Sequence, residues 1–128
     1  NELINEISKS YPSIANAIKI KTNIIHTSLS INAAIPCGLI LNELLTNCYK
    51  HAFLNKVEGC IDVSFQNNNN DFKLVVKDNG VGLPEGYDKK QSLGVSVICA
   101  LTEQLNGTSA FKNDNGTHFE LKFKNEME

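Results

Sequence analysis

The chain has 128 residues, with 12 Lys+Arg against 14 Asp+Glu, a formal charge of −2 and 41% hydrophobic residues. That is the make-up of one ordinary folded domain, long enough to bury a core without disulfide staples, and its near-neutral charge excludes the electrostatic footprint of a nucleic-acid binder. Every basic residue is Lys, so phosphate chemistry here must use ammonium groups, backbone N–H groups or a metal, and no arginine finger is available.

Cys37, Cys48, Cys60 and Cys99 stand far apart, with no C-x-x-C pair and no Cys/His spacing for zinc; they are expected to be reduced, mostly buried thiols of a cytoplasmic protein. The longest nearly apolar run, Ile35 to Leu41, is far short of a membrane span, and nothing marks secretion. A start without Met, directly inside a helical pattern, reads as a piece of a longer polypeptide.

Leu3, Ile4 and Ile7 recur at helical spacing before Tyr11-Pro12, where the residue preceding Pro ends the helix. Residues 1–12 are therefore expected to be the tail of a linker helix, and 13–128 the domain proper. Ile18, Ile20, Thr22 and Ile24 alternate with polar residues, the period of a strand. Asn32 is the expected N-cap of a long helix to about Leu54, with Pro36 tolerated because first-turn N–H groups have no intrahelical acceptor. Val57 to Phe65 and Phe72 to Lys77 read as a hairpin turning through Asn67 to Asn70. From Asn79 to Ser92 the pattern breaks into Gly, Pro and charge, too long for a tight turn. Leu93, Val97, Leu101 and Leu105 give a second helix closed by Asn106-Gly107. A last hairpin joins Thr108–Lys112 to Thr117–Phe123, with Phe119, Leu121 and Phe123 on one face of its final strand.

This order predicts an α+β fold, a two-layer sandwich whose mixed, mostly antiparallel sheet is covered on one face by helices. Neither G-x-x-x-x-G-K-[ST] nor a complete Rossmann fingerprint is present.

On the long helix Glu43, Asn47 and Lys50, at i, i+4 and i+7, project together. An amide oxygen at Asn47 suits Mg²⁺ bridging phosphates, and Lys50 can reach phosphate oxygens as a point charge; a solvated Glu/Lys stripe is the plain alternative. Asp78-Asn79-Gly80-Val81-Gly82 follows a strand. A carboxylate there accepts a hydrogen bond from an exocyclic amine such as adenine N6, whereas guanine presents an oxygen; the plain alternative is an Asp-Asn-Gly turn. Ser92-Leu93-Gly94 opens the second helix, whose free N–H groups and positive dipole end favour anions.

Together these segments resemble a known family. Leu41-Asn42-Glu43-Leu44-Leu45-Thr46-Asn47-Cys48-Tyr49-Lys50-His51-Ala52-Phe53 resembles an N box, Asp78-Asn79-Gly80-Val81-Gly82 a G1 box, Ser92-Leu93-Gly94-Val95 a G2 box and Gly116-Thr117-His118-Phe119 the last glycine motif. They are similar to the ATP-binding catalytic domain of sensor histidine kinases, on the Bergerat fold shared with gyrase, Hsp90 and MutL. Ile35 to Leu44, with Lys50-His51-Ala52-Phe53, looks most like the HisKA_2 or HWE subgroup.

The resemblance, running from about Asn32 to Phe123, implies ATP and Mg²⁺ as cofactors. It implies Asn47 as metal ligand, Glu43 as a second polar group at the metal or a general base, and Lys50 and His51 as phosphate contacts. Asp78 would take the adenine amine, with Gly80 and Gly82 at the base, Asn79 on a phosphate or ribose oxygen, Gly94 at the phosphates and Thr117 supporting the pocket. The phosphoacceptor would be a His on a dimerisation domain of the same polypeptide, because His26, His51 and His118 do not fit that role. A response regulator downstream, a homodimeric parent, and no nucleic acid or direct membrane contact by this domain are implied too. The segment from Leu83 to Gln91 is a short lid, and the G2 segment has one glycine where many relatives have G-x-G. An anti-sigma-factor serine kinase, a nucleotide-binding pseudo-kinase and a gyrase-type ATPase are the alternatives.

Overall fold

The computed structural model describes residues 18–25, 29–47, 59–80, 93–113 and 115–124. In chain order the elements are β1 (Ile18–Ile24), α1 (Ile31–Asn47), β2 (Gly59–Asn68), β3 (Asp71–Asp78), α2 (Leu93–Gln104), β4 (Thr108–Asn113) and β5 (Thr117–Lys124). The five strands form one sheet in the order β1-β2-β3-β5-β4. Only β1 and β2 run parallel; the other three pairings are antiparallel. A parallel pair needs a long crossover, and here α1 lies between the two strands in the chain. The expected α+β architecture with a mixed, mostly antiparallel sheet is what forms.

Burial shows why one face of the sheet is covered. Ile61 and Val63 of β2, Phe72, Leu74 and Val76 of β3, and Phe119, Leu121 and Phe123 of β5 are buried at alternate positions. Ala33, Ile40, Leu41, Leu44 and Leu45 of α1 and Ile98 and Leu101 of α2 join the same core. Phe65, Phe72 and Phe123 stack with ring centroids 5.4 to 6.4 Å apart, and Phe111 meets Phe119 at 4.8 Å. Stacked and tilted aromatic pairs of this kind contribute beyond simple area burial.

Several boundaries differ from the sequence expectations, for physical reasons. α1 begins at Ile31, one residue ahead of Asn32: the Ser30 carbonyl accepts from the N–H groups of Ala33 (3.0 Å) and Ala34 (2.8 Å). Pro36 thus falls in the second turn, where its missing N–H removes the bond the Asn32 carbonyl would accept, and its ring is buried instead. The β2–β3 hairpin carries its backbone pairing through the polar Asn67 and Asn68 to a turn of only Asn69-Asn70, with Asn69 at φ +59°. Side-chain polarity marked a turn, but ladder bonds are made by the backbone whatever the side chain.

α2 closes as expected through Asn106-Gly107. Asn106 takes φ +51° and donates to the Glu103 carbonyl (2.9 Å), while Gly107 N–H reaches the Thr102 carbonyl (3.1 Å), which is a Schellman motif. The cysteines divide: Cys37 and Cys60 are half-buried and Cys99 is exposed on the outer side of α2, so the mostly buried reading fails there because the helix turns that position to solvent. Burial pushes the Cys37 thiol up to about 12. Residues 1–12, the end of the long helix, Cys48, Val57 and the lid lie outside the described residues.

Candidate functional site

Along β3 the inward positions run Phe72, Leu74, Val76 and then Asp78. The period of two thus carries a carboxylate onto the helix-covered face at the strand's end, where it is only 5% exposed. A carboxylate in that setting is expensive unless hydrogen-bonded. Asp78 Oδ1 accepts from the N–H of Gly80 at 2.8 Å and from the N–H of Thr117 at 3.2 Å. The first bond makes an Asx turn of Asp78-Asn79-Gly80; the second ties β5 to the end of β3.

Asn79 fastens the same corner to β2. Its backbone N–H donates to the Cys60 carbonyl (3.2 Å), and its Oδ1 accepts from the Cys60 N–H (2.8 Å). That amide oxygen is engaged within the sheet, while the role the resemblance implies, a contact to a phosphate or ribose oxygen, would fall to the amide NH₂ donor.

Gly116, in the loop between β4 and β5, is buried at φ +135°, and an added Cβ would collide with the Asp78 carbonyl oxygen. The glycine is required there by close approach of backbone to backbone.

A second cluster forms where α1 meets α2. Glu43 and Asn47 lie one turn apart, both half-buried. A Cβ on Gly94 would stand 3.2 Å from Glu43 Oε2 and 3.6 Å from Asn47 Nδ2, so both polar tips rest against the first turn of α2. Among the described residues no three His, Cys, Asp or Glu side chains come close enough to hold a metal. A carboxylate and an amide nevertheless suit Mg²⁺, which takes few protein ligands and completes its octahedron with phosphate oxygens and water.

Of the sequence candidates, the structure brings Asp78, Asn79, Gly80 and Thr117 together at one corner, and Glu43, Asn47 and Gly94 at the helix junction. Lys50, His51 and Gly82 lie outside the described residues. Two participants were missed as site residues. Gly116 stands in the last glycine motif, Gly116-Thr117-His118-Phe119, of which only Thr117 was given a site role, and Cys60 acts through its backbone, which leaves no signal in side-chain chemistry. No helix among the described residues is long and apolar enough to cross a membrane.

Comparison with known proteins bears on the family and the fold. Residues 32–127 match the family described as histidine kinase-, DNA gyrase B-, and HSP90-like ATPase. The chain is 34% identical over 84 residues to the sensor histidine kinase PdtaS of Mycolicibacterium smegmatis, covering 62% of this chain and 17% of that one. It is 28% identical over 92 residues to blue-light-activated histidine kinase 2 of Erythrobacter litoralis, covering 70% of this chain and 27% of that one. Among solved structures, the Erythrobacter litoralis EL346 blue-light activated histidine kinase superposes with a TM-score of 0.84 at 23% identity, over 95% of this chain and 40% of that one. The chain thus spans only about a sixth to a quarter of the curated relatives' length. On the family match, the chain belongs to the histidine kinase-, DNA gyrase B- and HSP90-like ATPase family, and it shares its fold with histidine kinase structures.

Proposed function

We propose that this domain, lying in the cytoplasm, binds ATP with Mg²⁺ and presents the γ-phosphoryl group to a histidine on a separate dimerisation domain of the same polypeptide, in a homodimeric parent that passes the phosphoryl on to a response regulator. The observation that carries the reading is Asp78: a nearly fully buried carboxylate held by two backbone N–H groups at the end of β3. Such a group reads an exocyclic amine, and it rejects guanine because the carbonyl there would leave two acceptors facing each other.

Asn47, with Glu43, would hold Mg²⁺, which when bound neutralises charge on the phosphates. The α2 N-terminus beside Gly94 offers N–H groups to phosphate oxygens. Lys50 and His51 complete the phosphate contacts, Gly80 and Gly82 let the backbone approach the base, and Thr117 supports the pocket through its bond to Asp78. Asn79 acts as a positioning residue, holding the Asp78 corner against β2. A neutral imidazole is already a nucleophile, so Glu43 orients rather than deprotonates, and the domain's work is positioning plus charge stabilisation.

The test is a titration with a non-hydrolysable ATP analogue in Mg²⁺, beside GTP and the variant Asp78→Asn. Asparagine keeps an acceptor for the two N–H groups but removes the charge. The expected result is adenine-selective binding that weakens at least tenfold in the variant, about 1.4 kcal/mol or more. Equal affinity for ATP and GTP, or no effect of Asp78→Asn, would sink the reading.

A further inference from the structure

The side of the sheet turned away from the helices carries a charge distribution that the nucleotide site does not use. The strand registers put Lys21, Asp62, Lys77, His118 and Lys112 in one row across all five strands. Glu120 stands in the next row between Ser64-Val75 and Ala110, and Lys73 and Lys122 are direct partners in the row after that. Lys19 and the Asp71–Lys124 pair complete the face. Seven of the chain's twelve lysines and three of its fourteen acids lie here, a formal +4 on a chain whose total is −2.

The arrangement is not electrostatically self-sufficient. Lys73 and Lys122 sit directly opposite, a destabilising juxtaposition in a sheet, and Glu120 bridges them at 2.8 and 3.8 Å. Asp71 is 4.0 Å from Lys124. Those two acids lie in the rows toward the β2–β3 hairpin; the five-strand row next to the Asp78 corner has three lysines and one aspartate. Toward the hairpin the lysine side chains are open to solvent, Lys73 50%, Lys122 63% and Lys124 79% exposed, and in the five-strand row Lys21 and Lys112 are exposed while Lys77 is half-buried.

We propose that this sheet face is a docking surface for a partner protein whose contacting face is rich in Asp and Glu carboxylates. Complementary charge steers encounter and fixes register between protein surfaces. Two observations favour a patterned protein face over a uniform polyanion. Asp62, Asp71 and Glu120 are interspersed among the lysines and would repel a membrane or a phosphodiester chain. Every described phenylalanine lies on the opposite, helix-covered face, so among the described residues this face offers a nucleobase only the half-buried imidazole of His118 and no stacking platform of several rings.

The experiment measures anisotropy of a fluorescein-labelled, net-acidic peptide in which glutamates are interspersed with lysines, titrated with the chain at about 50 and about 300 mM NaCl. Parallel arms use phosphatidylcholine vesicles containing about 30% phosphatidylserine, and single-stranded DNA. Two triple variants are compared, Lys21→Glu/Lys77→Glu/Lys112→Glu and the milder Lys21→Gln/Lys77→Gln/Lys112→Gln, with circular dichroism as the check on folding. The expected result is peptide binding that falls about tenfold or more with salt and about tenfold or more in the glutamine variant, and exceeds binding to vesicles or DNA. No peptide binding at the lower salt, unchanged binding in a folded glutamine variant, or stronger binding to vesicles or DNA would each overturn the proposal.

Discussion

At Gly116 two demands coincide: the backbone takes φ +135°, and any Cβ would run into the Asp78 carbonyl. The obstacle is backbone, which cannot swing aside as a flexible side chain does. Gly116→Ala should therefore cost about 2 to 4 kcal/mol, combining overpacking with a disfavoured dihedral. Chemical denaturation measures this, and ATP-analogue affinity should fall with it because Thr117 moves. Asn79 offers a sharper contrast. If its Oδ1 acts as the acceptor for the Cys60 N–H, Asn79→Asp keeps that acceptor while Asn79→Ala leaves the donor unmatched, at a cost of about 1 kcal/mol. Alanine should then weaken stability and nucleotide binding more than aspartate. The reverse order, with aspartate worse at low salt, would point to Asn79 facing phosphate directly.

At the scale of elements, the exposed ladder between β3 and β5 has a measurable pH signature. The Lys73 ammonium hydrogen-bonded to Glu120 holds that carboxyl below the usual range, aided by the charges of Lys73, Lys122 and His118. A depressed carboxylate contributes stability that is full above its ordinary range and is lost as the pH falls through its folded value. Because the pair is solvent-exposed, the contribution is below about 1 kcal/mol. Glu120→Gln should lower the denaturation midpoint slightly at neutral pH, and the difference from wild type should vanish under strongly acidic conditions. The helices are held differently. Ile40 and Leu45 are fully buried, so α1 owes its place to apolar packing on the sheet, and that packing is what presents Glu43 and Asn47 to the first turn of α2.

At the scale of the whole molecule, the proposed function divides labour between a domain that holds the nucleotide and a separate one that bears the acceptor. His118 lies in β5, half-buried, with its Nδ1 buried and without a hydrogen-bond partner among the described residues, so that nitrogen is not available as the attacking atom. Incubation of the chain alone with γ-labelled ATP should therefore leave no acid-labile phosphate on it, while a histidine-bearing dimerisation domain supplied in trans should become labelled. Label on the chain itself would count against the division. The charge separation belongs to this scale too: a formal +4 gathers on one face of a molecule whose total is −2, an asymmetry that composition conceals.

The element order, the two-residue alternation of β5 and the Schellman closure of α2 were legible in the sequence, because periodicity and caps are local properties. So were Glu43, Asn47, Asp78 and Gly94 as candidates, since each stands in a motif a few residues long. The start of α1 and the length of the β2–β3 hairpin were less so, because Ser30 and Asn32 are both capable caps and backbone pairing is blind to polar side chains. Other features depend on segments far apart in the chain. That Gly116 must be glycine follows from the approach of the β4–β5 loop to Asp78, and Asn79's partner is a backbone group nineteen residues earlier. The lysine face arises only when strand registers align residues from all five strands. Sequence determined which chemistry was available and on which kind of element; tertiary structure alone decided which groups meet, because contact is set by register and packing between strands and helices that the local pattern does not encode.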